Sequence, residues 1–544
     1  MSTSNEPVNL KTHARNNSGV NLRFTAEVPD TTLTAILEIG STGIRLHVAE
    51  IYSSGKWQVL DRASRPVSLG RDVFTTAVLS RESMLECLEV LQHYRELLSG
   101  WNIADENIHA IATSAIRVAR NRDIFIDRVH QETGFKLSIV DGIEENRLMY
   151  LAVRFALKQD LPMFWRANSM IIEIGGGSTE IMLLRRGQMV AAHSLKMGTI
   201  IIDQRSRLSG AGYNGIGSGI FFERYLNENI RNTLGLLNME MDLAHVRTIV
   251  AAGNDARIVA DRVGRELNES CRLIERDDFI MFVDKIRSYS IEDCINQFGI
   301  IYADAEGLVP GLLVLKLFLE RTGAASIAVP LVTIRDGFLI DLASGVDSSM
   351  QDEFFSQIIA SAINLGRKFH FDENHGLHVA QLCMTIFDAL IKEHGMNRRH
   401  RVMLEAAAIL HDIGTYIKPS AHQKHGQYIV SNSEIFGLHN DELNIIGNVI
   451  NYHRGDPPSQ SDIEYVKLQR EDRVLVLKMV SLLRVADALD RGHTQHIKKI
   501  SVERRLETVV FHVDKDYDLS LELMGIEEKG RMFQDVFGYK VILN

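Results

Sequence analysis

Cysteine is scarce in this chain: four residues in 544, at Cys87, Cys271, Cys294 and Cys383. None sits in a C-x-x-C pair, which excludes a disulfide framework and a cysteine zinc site. They read as small buried hydrophobes in a reducing compartment. No apolar run reaches the roughly 18 residues that span a bilayer. Residues 1–30 are polar, rich in Ser, Asn and Thr, and have no apolar signal core. They read as a disordered tail. A cytoplasmic protein without a membrane partner is therefore expected. A basic excess is missing too, because the formal net charge is −10. That argues against a general nucleic-acid binder, and no sequence-specific nucleic-acid partner is expected. A polyanionic substrate stays allowed, since a cleft can be locally positive. The composition, 45% hydrophobic and 24% charged, is that of an ordinary globular protein. So long a chain exceeds one core and predicts about three or four domains.

The most informative feature present is a repeat. Ile36-Leu37-Glu38-Ile39-Gly40-Ser41-Thr42 returns as Ile171-Ile172-Glu173-Ile174-Gly175-Gly176-Gly177-Ser178-Thr179, with the glutamates 135 positions apart. A second apolar run follows each turn, Ile44 to Val48 and Ile181 to Leu184. Each copy reads as strand, glycine turn, strand, with a carboxylate just before the turn. Two such devices face to face would pair their carboxylates and amide-rich loops, a place for phosphate and a metal ion.

The rest of the chain organises around this repeat. Residues 31–165 alternate strand and helix: a strand from Leu33 to Ile39, a helix over 80–98 capped by Ser80, and strands at 108–112 and 135–140. A second α/β region spans 166–345. It includes five glycines between Gly210 and Gly219 that lack the Lys-Ser/Thr ending of a P-loop and read as a mobile surface loop. Residues 350–498 are helical throughout, with helices expected at 352–365, 375–393, 401–413, 441–453 and 472–489. Residues 499–544 return to strand-like runs, at 509–513 and, by clean alternation, at 519–523.

Two constellations carry chemistry. In the first, glycine turns at Gly40-Ser41 and Gly175-Gly176-Gly177-Ser178-Thr179 suit phosphate oxygens. Glu38 and Glu173 stand where a hydrated divalent cation could bridge carboxylate and phosphate. Asp141 and Glu144 have capping-box spacing, which explains Glu144 structurally. Glu145 is the better general base for water, with a first-turn glutamate favoured by the helix dipole as the plain alternative. Arg117 either neutralises phosphate charge or is a solvated helix arginine; the residues alone leave both open. In the second, His411-Asp412 ends the apolar run Ala406 to Leu410, and a charged pair there needs a partner or a metal. His375, His425, His453 and Asp487 are further candidates. Imidazole with carboxylate suits a transition metal better than a pure Mg site.

Taken in order, these segments resemble the exopolyphosphatase / guanosine pentaphosphate phosphohydrolase family over nearly all of the chain after the tail. The resemblance rests on Glu38 to Ser41, Ala112 to Arg117, Gly142 to Glu145, Ile174 to Glu180 and Ile334 to Gly337. It implies an α/β fold of two actin-like (ASKHA, ribonuclease H-like) domains, then an all-α HD-like domain and a small α/β C-terminal domain. It also implies removal of terminal phosphate from polyphosphate or guanosine pentaphosphate, with Mg (or Mn) as divalent cation. The catalytic glutamate falls on Glu145 and the cleft arginine on Arg117. Phosphate binding falls on Gly40, Ser41, Gly142 and Gly175 to Thr179, and metal binding on Glu38, Glu173 and Glu180. His375, His411, Asp412, His425, His453 and Asp487 match an HD metal centre.

Several positions depart from the family pattern. Aspartates are usual where Glu38 and Glu173 stand, and Asp255 adds a carboxylate to a phosphate turn, where it would repel phosphate without a cation. Exopolyphosphatase activity is the leading expectation. Pentaphosphate hydrolysis, a phosphohydrolase centred on the HD site, and a non-catalytic polyphosphate or alarmone sensor are the rivals. Homodimerisation is left open.

Overall fold

The computed structural model describes residues 31–157, 162–208, 218–344, 348–513 and 518–544. The expected N-terminal tail lies outside the described residues. So does the glycine run, apart from its last two residues, which open the helix Ser218–Glu240.

Each copy of the repeat starts a sheet. The first sheet holds β1 (Thr31–Ile39), β2 (Gly43–Tyr52), β3 (Trp57–Pro66), β4 (Ile108–Ala112) and β5 (Leu137–Ile139), in the order β3-β2-β1-β4-β5. The second holds β6 (Asn168–Ile174), β7 (Thr179–Arg185), β8 (Gln188–Leu195), β9 (Val246–Ala252), β10 (Arg265–Asn268), β11 (Cys271–Glu275) and β12 (Ser326–Pro330), in the order β10-β11-β12-β9-β6-β7-β8. In both, the strand carrying the glutamate pairs antiparallel with the strand after the glycine turn. On its other side it pairs with a parallel strand, β4 or β9.

β1 is buried on both faces, which is why it reads as a near-continuous apolar run. Ala35, Leu37 and Ile39 pack in a core with Leu88 and Leu91 of the helix Arg81–Trp101, and Ile36 meets Leu339 on the opposite face. Ser80 caps that helix as expected, accepting from the Ser83 amide at 3.1 Å. The four cysteines are buried thiols, as expected.

The expected division at 165/166 does not separate the packing of the two sheets, because two helices cross between them. Gly142–Leu157 buries Leu148, Tyr150 and Leu157 in a core with Ile171, Met182 and Leu184 of the second sheet. Ile334–Ser344, later in the chain, lays Leu339 on Ile36 and Ala49 of the first sheet. The two helices touch at Gly337, where a Cβ would run into the Leu148 carbonyl. Sequence order therefore does not divide the two lobes cleanly.

The helical region includes Ser348–Lys368, Glu373–Ala389, Arg398–Leu410, Asn440–Tyr452 and Arg470–Ala488, close to the five expected helices. A sixth, His422–Ser431, was not anticipated. At the C-terminus, β13 (Ile500–Arg504), β14 (Thr508–Val513) and β15 (Lys540–Leu543) form a small sheet. The strand expected at 519–523 is instead the start of the helix Ser520–Phe537. Its buried positions, Glu522, Gly525, Ile526, Lys529 and Phe533, recur at helical spacing, while Leu521 and Leu523 are exposed. Among the described residues no single helix is long and apolar enough to cross a membrane.

Candidate active site

The two glycine turns meet face to face. A Cβ placed on Gly176 would stand 3.2 Å from Ser41 Cβ, and one on Gly177 would collide with Phe74. Glycine leaves room for this close approach. Ser41 Oγ lies 3.0 Å from Ser114 Oγ, tying the first turn to the strand-to-helix junction after β4. The resulting cleft, about 320 Å³, is lined by Glu38, Ser41, Glu145, Glu173, Ser178 and Arg335 among others.

The two copies of the repeat are electrostatic opposites. Across the first hairpin Glu38 pairs with Arg45, whereas across the second Glu173 pairs with Glu180. Glu38 is also bound by Arg335, from the crossing helix, in a buried ion pair. Arg45 stands 3.8 Å from its other oxygen. The symmetric metal site expected from Glu38 and Glu173 is thus corrected: arginines already neutralise Glu38. Glu173 accepts no hydrogen bond among the described residues. Burial and the charge of Glu145 push its carboxyl up to about 7. Glu180 is raised well above the ordinary value by burial and by Glu145, although Ser194 Oγ (2.8 Å) and Asn146 Nδ2 (3.2 Å) donate to it. Buried Glu145 and Glu180 with half-buried Glu173, the latter two raised in part by the charge of Glu145, fit a divalent cation on the side of the second copy.

Glu145 sits in the first turn of the helix Gly142–Leu157, buried, with Arg117 Nη1 donating to Oε2 at 2.8 Å. The same nitrogen donates to the Val140 carbonyl at 2.8 Å. Arg117 is therefore no solvated helix arginine; it holds Glu145. Burial outweighs that arginine and raises the Glu145 carboxyl, as a base for water requires. Half of the capping box expected from Asp141 and Glu144 forms. The Glu144 amide donates to Asp141 Oδ1 at 2.8 Å, and its carboxylate turns away to Arg147.

The expected phosphate ligands separate into two groups. The amides of Gly40 and Gly175 close their own turns, donating to Gly43 O and Ser178 O at 2.9 Å. Thr179 Oγ1 donates to Met197 O at 2.5 Å and is fully buried. Gly142 provides room for Ser194 beside Glu180 rather than lining the cleft. These four expectations are corrected: the Gly40 and Gly175 amides and the Thr179 hydroxyl already have acceptors, and Gly142 stands outside the cleft lining. The amides of Gly176, Gly177 and Ser178 have no intramolecular acceptor among the described residues, and the Ser41 and Ser178 hydroxyls line the cleft.

Residues the sequence reading missed complete the site. Thr199 and Ile200 amides donate to Gly175 O (2.9 Å) and Gly176 O (3.0 Å), buttressing the second turn from behind. Gly198 makes this possible, because a Cβ there would collide with the Gly176 backbone. The signal available was a Gly-Thr pair opening a helix directly after β8. Overpacking of this kind costs about 1–3 kcal/mol. Gly198→Ala is expected to displace the turn and reduce phosphate release at least tenfold while circular dichroism stays native. Arg257 and Arg335 were missed as well, since both reach the cleft from far along the chain.

Asp255 lies near Asp304, and burial with that like charge pushes its carboxyl up to about 7. It therefore repels phosphate less than its charge in sequence suggested. A raised carboxyl stabilises the fold fully below its ordinary value near 4, and the contribution is lost as pH rises through about 7. Asp255→Asn should accordingly raise the melting temperature at pH 8 and leave it nearly unchanged at pH 4, as differential scanning calorimetry would register.

Five of the six expected HD-centre residues come together in the helical domain: His375, His411, Asp412, His453 and Asp487. His425 does not. It lies on the helix His422–Ser431 outside these clusters, and His422, one turn earlier, takes its place beside Asp412 and His453.

Comparison with known proteins agrees with this architecture. The Ppx/GppA phosphatase family matches residues 48–345, and domain III of Ppx/GppA phosphatases matches residues 359–527. A guanosine-5'-triphosphate,3'-diphosphate pyrophosphatase of Pseudoalteromonas translucida is 23% identical over 523 residues, covering 95% of this chain and 99% of its own. The similarly named protein of Pseudoalteromonas atlantica is 24% identical over 462 residues, covering 84% of this chain and 85% of its own. Among solved structures, an exopolyphosphatase from Cytophaga hutchinsonii shares the fold at 20% identity with a TM-score of 0.50, over 58% of this chain and 99% of that one.

Proposed function

The chain belongs to the Ppx/GppA phosphatase family, and on that premise we propose that its cleft hydrolyses the terminal phosphoanhydride bond of a polyphosphate-type chain. The observation that carries this reading is Glu145, buried, raised and held by Arg117 at the wall of a cleft whose facing turns offer unused amides. Glu145 accepts a proton from water through a carboxylate oxygen. The water oxygen forms a bond to the terminal phosphorus as the bridging P–O bond breaks, and the electron pair leaves with the shortened chain. Amides of Gly176, Gly177 and Ser178, with the hydroxyls of Ser41 and Ser178, donate to the phosphoryl oxygens. Arg257, and Arg45 to the extent that Glu38 leaves it charge to share, offset the substrate's negative charge. Glu173 and Glu180 would hold a divalent cation, Mg or Mn, which when bound supplies positive charge to the phosphate oxygens.

Inorganic polyphosphate is the substrate expected from the sequence. Guanosine pentaphosphate is the second reading, favoured by relatives that carry that substrate in their names, one of which matches this chain nearly end to end. Phosphate release from each substrate, with Mg or Mn, separates the two. Release from neither removes the hydrolytic reading and leaves a sensor of such chains. The helical domain is read as HD-like, consistent with the order of its histidines and aspartates.

A further inference from the structure

The helical domain contains four histidines whose ring nitrogens are sorted in one sense. Each Nδ1 faces an acceptor: His375 the Asp490 carboxylate at 2.8 Å, His411 the Ala408 carbonyl at 2.7 Å, His422 the Pro419 carbonyl at 2.9 Å and His453 the Ile450 carbonyl at 2.6 Å. An acceptor at each Nδ1 places a proton there and leaves Nε2 as the ring atom available to a metal ion. The Nε2 atoms face one another, 3.2 Å apart for His375 and His411 and 3.3 Å for His422 and His453. Two Nε2 atoms turned toward each other at this distance are the arrangement two imidazoles adopt on one cation.

Carboxylates complete both pairs. Asp412 Oδ2 lies 3.7 Å from His411 Nε2, and Asp487 Oδ1 lies 3.7 Å from both His375 Nε2 and His411 Nε2. Asp412 Oδ1 lies 3.0 Å from His422 Nε2 and 3.5 Å from His453 Nε2. That oxygen is buried and accepts no hydrogen bond of sound geometry despite the closeness of His422. With metal–ligand bonds of about 2.0–2.2 Å, donors on one ion stand roughly 3–3.7 Å apart. Both sets fall in this range. Asp412 belongs to both, with one oxygen in each.

We propose that the helical domain binds two divalent transition-metal ions bridged by Asp412. One is held by His375, His411 and Asp487, the other by His422 and His453. Neutral imidazole with carboxylate, and no thiolate, selects Mn, Fe or Zn over the ion of an all-oxygen site. The surroundings support the donors. Lys529, from the helix Ser520–Phe537, binds the outer oxygen of Asp487 and leaves Oδ1 turned inward. His493 stacks on His375 with ring centroids 3.6 Å apart. The two-ion centre is separate from the cleft and stands whether or not the cleft hydrolyses polyphosphate.

The test strips the full-length protein with chelator, reloads it with Mn²⁺, desalts it, and measures Mn by mass spectrometry together with the electron paramagnetic resonance signal. Wild type should retain two ions with an exchange-coupled spectrum. His422→Ala should keep one ion with an isolated-ion spectrum, and Asp412→Asn, which preserves side-chain volume, should lose the coupling. His425→Ala, on the same helix, should behave as wild type and controls for folding. Fewer than two ions in wild type, or a coupled pair surviving in His422→Ala, overturns the bridged centre.

Discussion

Replacing Glu145 with glutamine lowers phosphate release by about 10²–10⁴-fold, the range lost when a positioned general base is removed. The substitution keeps the size of the side chain and its contact with Arg117, so folding is preserved and the loss reports chemistry. Glu145 lies in the helix turn that follows β5, and burial raises its carboxyl above the ordinary value. A base must be deprotonated to work. The acidic limb of the pH–rate profile should therefore lie above the usual glutamate value, with activity rising as pH increases through it. Arg117→Ala removes the opposing influence and should move that limb higher still, a displacement that simple loss of packing would not cause. Unchanged release from Glu145→Gln would remove this residue from the mechanism.

Arg335→Ala destabilises the protein by about 3–5 kcal/mol, the loss typical of breaking a buried ion pair by deleting one partner. Glu38 would be left charged and buried, with only Arg45, at 3.8 Å, for company. Replacing both partners, Glu38→Gln with Arg335→Met, should recover most of the loss, because no uncompensated charge then remains. Thermal unfolding of the single and double variants measures the coupling. The single variant should also release phosphate more slowly, since an unpaired Glu38 adds negative charge where phosphate binds. If Arg335→Ala were as stable as wild type, the assignment of Glu38 to an arginine rather than to a cation would fail.

These two residues illustrate what the sequence made legible. Glu145 could be picked out because its neighbours explained themselves: Asp141 and Glu144 had capping spacing, which left Glu145 without a structural task. Glu38 was misassigned because its partner lies 297 positions away on a crossing helix. The repeat suggested two equivalent carboxylates. The residue opposite each, Arg45 in one hairpin and Glu180 in the other, was present in the sequence and already broke the symmetry. Local pattern carried four strands of the first sheet, the repeat's hairpin in the second and the five long helices of the helical region, since period and capping are local properties. It failed at Leu519–Leu523, where five alternating residues fit a strand and a helix start equally well. The buried face of that helix becomes readable only from Gly525 to Phe533. His425 was chosen over His422 for a related reason. Without the helix His422–Ser431 in hand, nothing fixed which histidine faced Asp412.

On these proposals, hydrolysis lies in the lobes of the repeat and metal binding, separately, in the helical domain. Phosphate release from polyphosphate and from guanosine pentaphosphate, measured in parallel for wild type, Glu145→Gln and Asp412→Asn, sets these assignments against each other. Release should collapse in Glu145→Gln and persist in Asp412→Asn. Collapse in Asp412→Asn with full activity in Glu145→Gln would place the hydrolytic site in the helical domain and contradict the role given to the cleft.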